Sequence, residues 1–369
     1  MIGTEHEFSI NNAEFSPLPV ADQIIRSICG RYENEIAFGS ITLGKELQKT
    51  VIELVPRAPA GEPCALEQQL VSGIEKFYCM FPHQYTLLGL GMHPTANPKD
   101  IPVWDHDEHE YYAAYDRLFD IRQHGWLNIQ ALQVNLSYEN DRELVTLYNR
   151  VRSLLPYLIA VTASSPMVES RLTGSCDNRL LYYRENQKEI PLICNRIVPP
   201  RIRTVDDYRS VQEEVFQELR SRGAGILCEE WVNSSGLIIR FSRKCLEIKA
   251  LDEQESIHSD MAVCAFLRPL IRCPSLPVET EQEALLALTE TVIHSGTAEI
   301  RDDLHRLYRL AERYATTEEK QYLPAIHERI ENGSLAEQMA ARVRDEGELL
   351  PVLTDLAGCL RNNTTFSYR

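Results

Sequence analysis

Four glutamates stand in segments that otherwise read as apolar strands. In Gly3-Thr4-Glu5-His6-Glu7-Phe8-Ser9-Ile10, Glu5 and Glu7 are two positions apart. Extended backbone turns such residues to one face, roughly 6–7 Å apart. Glu53 is the single acid in Thr50-Val51-Ile52-Glu53-Leu54-Val55, and Glu247 shares a face with Lys249 in Cys245-Leu246-Glu247-Ile248-Lys249-Ala250. Glutamate is depleted in strands, and the neighbours here are strand formers. Each acid taken alone reads as the solvent side of an amphipathic strand. If the four faces converge, the chemistry changes. Two carboxylates about 6.5 Å apart repel by roughly 2–3 kcal/mol at an effective dielectric of about 20. A cluster then needs protons or cations, and magnesium or manganese are the hard ions that carboxylate oxygen prefers. The same ions screen a polyphosphate during transfer.

Basic and imidazole groups fall in three further places. Arg171 and Arg179 frame the stretch Ser170–Arg179, whose small and polar residues suit a loop that grips a carboxylate or phosphate through forked hydrogen bonds, or an ordinary mixed-charge surface loop. Arg240 and Arg243 flank a turn at Ser242-Arg243-Lys244 and carry the same two readings. His93 closes an apolar run in Gly91-Met92-His93-Pro94, where it either faces a site or packs as a structural histidine. The tract Asp105-His106-Asp107-Glu108-His109 has metal-ligand composition, but a solvated loop with helix-capping acids explains it more simply.

The elements that must position these groups alternate between strand and helix. Strand patterns cover Gly3–Ile10, Glu35–Leu43, Gln48–Leu54, Tyr85–Met92 and Leu127–Leu136, with a hairpin of Gly236–Phe241 and Cys245–Ala250. Helical spacing covers Pro17–Ile28, Glu67–Phe81, Glu110–Arg122, Arg142–Ala163 and Val205–Ser221, and nearly everything after Ser259. Asp141 is the expected cap of the helix from Arg142, Pro156 predicts a kink or break in it, and Ser164-Ser165-Pro166 ends it. Strands dispersed among helices predict an α+β layered protein, with helices on one side of a mainly antiparallel sheet and a helical C-terminal third. No long linker demands a cut, so a single domain over residues 1–369 is expected.

Composition narrows the function classes. The 369 residues are 44% hydrophobic and 25% charged, with a formal net charge of −16. That balance and the lack of a basic tract disfavour nucleic-acid binding. No apolar run approaches the roughly 18–20 residues that span a bilayer, so no membrane partner is expected. The ten cysteines form no Cys-x-x-Cys pair. With no basic-then-apolar opening segment, a cytoplasmic setting is expected. P-loop, dinucleotide and nucleophile-elbow glycine motifs are all missing.

Taken together, these segments resemble the type 2 glutamate–cysteine ligases and related carboxylate–amine ligases. Gly3-Thr4-Glu5-His6-Glu7 is similar to the family's Gly-x-Glu-x-Glu opening. Glu53, with Glu46 seven positions before it, fits its later acidic pair. Gly91-Met92-His93-Pro94 resembles Gly-Thr-His-Pro, and Leu158-Ile159-Ala160 through Ser164-Ser165-Pro166 resembles the family's helix end. Leu246-Glu247-Ile248-Lys249 with Asp252 resembles Val-Glu-Val-Arg followed by Asp. The resemblance implies a glutamine-synthetase-like curved antiparallel sheet, its concave face holding the metals and its convex side covered by helices. It further implies Glu5, Glu7, Glu46, Glu53 and Glu247 as ligands of magnesium or manganese. ATP and a small amino acid or peptide pair are then the substrates. Lys249, with Arg179 and Arg240, would act on the transferred phosphoryl group, and His93, Arg171 and Arg243 would contact nucleotide or substrate.

One departure stands out. Where the family commonly has His-x-His-Val-Gly, this chain has Gln133-Val134-Asn135-Leu136-Ser137. Gln133 and Asn135 keep the same-face spacing and can ligate or bind substrate through their amides, but they cannot shuttle protons as imidazole does. Lys249 in place of arginine keeps the charge and loses the fork. Both changes point to a divergent branch whose amine substrate differs from cysteine. The alternative is a non-catalytic nucleotide- or amino-acid-binding module on the ligase fold. Either is compatible with a homo-oligomer.

Overall fold

A computed structural model describes residues 1–194 and 196–368. The strands, in chain order, are β1 (Ile2–Asn11), β2 (Glu35–Phe38), β3 (Ile41–Lys45), β4 (Val51–Pro56), β5 (Thr86–Leu88), β6 (Ala131–Ser137), β7 (Met167–Val168), β8 (Arg171–Leu172), β9 (Leu237–Arg240) and β10 (Cys245–Asp252). The main sheet has eight strands, in the order β2-β3-β4-β1-β6-β10-β9, with β5 also paired to β1. Its pairings are antiparallel throughout. This is the α+β architecture expected from the sequence.

β1 runs down the middle of the sheet, and its two faces are chemically distinct. Ile2, Thr4, His6, Phe8 and Ile10 are buried toward the helical layer. The helix Pro63–Met80 packs on β1, β3 and β4, and Asp141–Thr162 packs on β9 and β10. Between and behind them lies Ile257–Arg272. It also touches Arg301–Tyr314 and Glu319–Asn332, so twelve of its side chains are buried. A helix apolar on nearly every side needs neighbours all round, and the C-terminal helices supply them.

Local differences from the sequence reading have physical causes. Glu35–Leu43 is not one strand but a tight hairpin, with Phe38 paired to Ile41 and Gly39 at φ 69° supplying the turn. Of Tyr85–Met92 only Thr86–Leu88 pairs, because the chain then presses against the segment after β10. Asn140, not Asp141, caps the long helix by accepting a 3.1 Å bond from the Glu143 N–H. That helix continues through Pro156 to Thr162 without a break. Val205–Ser221 matches its expected bounds, and Thr204 and Asp207 close its first turn as a capping box.

A buried polar junction ties these pieces together. Asp252 accepts bonds from the Ser164 N–H (2.9 Å) and the Ser165 hydroxyl (2.8 Å), and Arg179 lies 3.6 Å from its other oxygen. The Gly91 N–H donates to the Ser164 hydroxyl at 2.7 Å. A β-carbon on residue 91 would overlap the Asp252 carboxylate. Gly91→Ala should therefore cost about 1–3 kcal/mol, the usual range for forcing atoms into a packed interior. Urea unfolding checks this, and a midpoint equal to wild type would refute it.

Candidate active site

The register of the sheet brings the acids together. Glu7 stands opposite Glu53 on β4, and Glu5 stands opposite Gln133 on β6. Asn135 is flanked by Gly3 and Glu247. Directly paired residues project to the same side of a sheet, so these side chains share the face away from the helices. Glu46 joins them from the connection between β3 and β4. All five acids line one cavity of about 480 Å³.

The tightest grouping is Glu7, Glu46 and Glu53, whose carboxylate oxygens lie within 4.8 Å of one another. At that spacing, and an effective dielectric of about 20, each pair repels by about 3 kcal/mol. Burial raises the Glu46 carboxyl to about 8, with the Glu7 charge adding to the shift. Burial also pushes Glu53 well above the ordinary range, with Glu5 and Glu46 adding repulsion. Glu7 is raised by burial and partly relieved by the Arg179 charge. Burial likewise raises Glu247, against the relief of Lys249. The donor set is all oxygen, anionic and withdrawn from water. That set fits a hard divalent cation, whose charge offsets both the repulsion and the desolvation.

Gln133 and Asn135 orient this cluster. Gln133 donates to Glu7 at 3.0 Å and Asn135 donates to Glu5 at 3.0 Å. The Ala131 N–H donates to the other Glu7 oxygen at 2.9 Å. Gln133 lines the cavity. Asn135 sits behind Glu5, and its carbonyl accepts from the Cys245 thiol at 3.2 Å.

The cationic groups come from the other side of β6. Arg240 donates to Glu247 at 2.6 Å and Arg243 donates to Glu5 at 2.8 Å. Arg179 is buried at 2% exposure and donates to the Lys249 carbonyl at 2.7 Å. Its Nε and Nη1 have no hydrogen-bond partner among the described residues. The Lys249 ammonium reaches the Trp231 carbonyl at 3.5 Å. Its placement depends on a bulge. Between the pairs Ile248–Val134 and Leu251–Leu132, β10 spends two residues, Lys249 and Ala250, against one of β6. The extra residue flips the alternation beyond it. Leu251 then enters the core, and Asp252 turns to the face that carries Glu247.

Two expected contacts lie elsewhere. His93 is buried outside the cavity, with its Nε2 2.8 Å from the Asn11 side-chain amide oxygen and its Nδ1 accepting from the Thr95 N–H. Burial lowers it to about 4, so it is a neutral structural imidazole. Arg171 is exposed on β8, outside the cavity lining. The tract Asp105–His109 carries its own counter-charge. The Lys49 ammonium sits 3.0 Å from Asp22 and 2.5 Å from Asp105. Within it Glu108 does reach the cavity, paired to Lys45 at 3.2 Å.

Sequence reasoning missed Lys45 and the aromatic wall of Tyr111, Tyr112, Tyr115, Trp126 and Trp231. Lys45 had a signal, being next to Glu46 at a strand end. The aromatic residues had none, because only tertiary packing sets Tyr111 against Trp231 at 5.6 Å and Tyr115 against Trp126 at 4.8 Å.

The raised carboxyls fix a pH dependence. Glu46 has its folded value near 8 against an ordinary 4.5. The unfolded chain therefore ionises first, and stability present at low pH is lost as pH rises through that window. Without divalent ions, the melting temperature should fall as pH rises from about 5 to about 8. Saturating magnesium should restore it, and Glu46→Gln should flatten the fall. A metal-free melting profile independent of pH across this range would refute the cluster's electrostatics.

Residues 1–355 match the family model described as glutamate–cysteine ligase family 2. An uncharacterized protein of Archaeoglobus fulgidus is 44% identical over 370 residues, covering 99% of this chain and all of that protein. The chloroplastic glutamate–cysteine ligase of Brassica juncea is 23% identical over 207 residues, which is 51% of this chain and 39% of that enzyme. The crystal structure of the glutamate–cysteine ligase of Francisella tularensis in complex with AMP superposes with a TM-score of 0.68 at 12% identity, over 98% of this chain and 88% of that one. The bifunctional glutathione synthetase of Pasteurella multocida gives the same TM-score at 15% identity, and this chain spans 52% of it. These likenesses show the fold, and the match over nearly the whole length shows the family. The chain belongs to glutamate–cysteine ligase family 2.

Proposed function

We propose that this protein is an ATP-dependent carboxylate–amine ligase that forms an amide through an acyl phosphate. The observation that carries the reading is the division of one cavity into two zones. Glu7, Glu46 and Glu53 meet on β1, β4 and the turn before β4, and Lys249, Arg179 and Arg240 stand across β6. Phosphoryl transfer needs both: divalent charge on the polyphosphate and fixed cations where charge develops.

Glu7, Glu46 and Glu53, with Glu5 and Glu247 beside them, would hold magnesium or manganese. When bound, that ion screens the phosphate charges. A substrate carboxylate oxygen attacks the terminal phosphorus of ATP, and the bond to the bridging oxygen breaks to release ADP. An amine nitrogen then attacks the acyl carbon, phosphate leaves, and the nitrogen loses its proton. Lys249 turns its ammonium to the cavity, held by one long bond to the Trp231 carbonyl, and can follow the moving phosphoryl oxygens. Arg179 supports it from beneath, through the Lys249 carbonyl, and contributes its own buried charge. Glu247 fixes Arg240, which narrows the guanidinium's search for the oxygens it meets. Gln133 holds Glu7 by hydrogen bond and does not itself exchange protons at neutral pH.

The carboxylate substrate is glutamate-like in this reading, and the amine partner differs from cysteine. A second reading, a module that binds nucleotide or amino acid without turnover, is favoured only by Gln133 and Asn135 where the family commonly has histidines. One assay separates them: ADP release with magnesium-ATP against pooled amino acids and peptides. Release that depends on a carboxylate and an amine together is expected. Glu53→Gln should abolish it while the variant stays folded, with metal-free stability equal to or above wild type. Lys249→Ala should lower kcat by roughly 100–1,000-fold, the usual cost of losing one oxyanion-stabilising donor. ADP binding without release over every pool would select the second reading, and full activity in Glu53→Gln would remove the proposed site.

A further inference from the structure

Among the described residues, three other clusters of metal-ligating side chains lie outside this cavity, and they differ in whether an ion could enter. His6, Glu253 and Asp260 are wholly buried and already paired with one another. Asp22, Asp105 and His106 already hold the Lys49 ammonium among them. The third group, His305, His327 and Glu331, is open to water, and among the described residues no lysine or arginine pairs with it.

His305 projects from the helix Arg301–Tyr314, and His327 and Glu331 project from Glu319–Asn332. The last two are four residues apart, so they stand on one helical face a turn from each other. Both imidazoles turn Nε2 toward a single carboxylate oxygen: His305 at 3.2 Å and His327 at 3.6 Å from Glu331 Oε1. Zinc bonds to nitrogen and carboxylate oxygen are about 2.0–2.2 Å, which places neighbouring tetrahedral ligands about 3.3–3.6 Å apart. The two imidazole–carboxylate separations are close to that size, and all three ligand atoms lie within 4.8 Å of one another. The His327 ring is braced by Tyr308 at 5.2 Å, and both helices are anchored on the buried helix Ile257–Arg272. The side chains are 28%, 49% and 44% exposed, so an ion can arrive from solvent. Two imidazoles and a carboxylate form a borderline-soft set that suits zinc and not magnesium.

We propose that His305, His327 and Glu331 form a zinc-binding clamp that joins the helices Arg301–Tyr314 and Glu319–Asn332. Three protein ligands leave a fourth position for water. Because zinc binds the folded pair and not the separated helices, it stabilises the C-terminal helical layer by mass action. The clamp is independent of the ligase reaction, so either idea can fail alone.

The test is zinc titration of the full chain in saturating magnesium, with stoichiometry read by competition against a chromophoric chelator and stability read by melting temperature. Wild type should bind one more zinc than the double variant His305→Ala/His327→Ala, and zinc should raise the melting temperature of wild type alone. Glu331→Gln should weaken binding by at least the roughly 10–100-fold that loss of a supporting outer-shell partner typically costs. Because Glu331→Gln preserves shape, it decides the matter if the double variant is less stable without zinc. Equal stoichiometry and equal thermal shifts in wild type and Glu331→Gln would overturn the clamp.

Discussion

The arrangement depends on a repulsion. Glu7, Glu46 and Glu53 bring carboxylate oxygens within 4.8 Å of one another, and burial together with mutual repulsion raises their carboxyls. A folded chain accepts such a contact only if something compensates. Here the nearby cations offset it only in part: Arg179 relieves Glu7 and Lys45 relieves Glu46, while Arg243 pairs with Glu5 and Arg240 with Glu247. The acid cluster is therefore left to protons or to a divalent ion. This makes the site a destabilised region of the fold, with a donor set that suits hard cations.

The rest of the architecture holds that unfavourable contact in place. β1 presents Glu5 and Glu7 on one face while its other face is locked into the core. There His6, raised to about 10 by Glu253 and Asp260 against the opposing effect of burial, bridges two carboxylates. The Glu7 N–H itself donates to Glu253 at 3.2 Å. The buried run Asp252-Glu253-Gln254-Glu255-Ser256 extends this support outward. Asp252 holds Ser164, Ser165 and Arg179, Gln254 holds the Thr162 carbonyl, and Glu255 holds Arg329 at 2.6 Å. Each of these groups is costly to bury alone, and each is matched by a partner from a different element. The C-terminal helices thus bear on the site through a polar relay as well as through apolar packing.

Much of this was legible in the sequence, and the gaps follow a pattern. Period-two alternation around Glu5, Glu7, Glu53 and Glu247 revealed the strands, and acids in such strands marked the face that converges. The long helices were legible because their apolar spacing is strong, as in Val205–Ser221 and Asp141–Thr162. What depends on one residue's conformation was not. The hairpin at Gly39 and the bulge at Lys249–Ala250 change direction or parity without changing composition. His93, ending an apolar run, fits either a site or a structural role by spacing, and the family resemblance points to the site, yet its neighbours Asn11 and Thr95 satisfy it inside the fold. Gln133 and Asn135 could be placed on the right face, but that they act as donors holding Glu7 and Glu5 needed coordinates.

The central claim is that the carboxylate cluster exists to hold a divalent cation. Crystals soaked in manganese, examined by anomalous diffraction, address it directly. The account predicts a peak within coordination distance of Glu7, Glu46 and Glu53, lost in Glu53→Gln. A cavity without anomalous density, in crystals that bind manganese elsewhere, would contradict it.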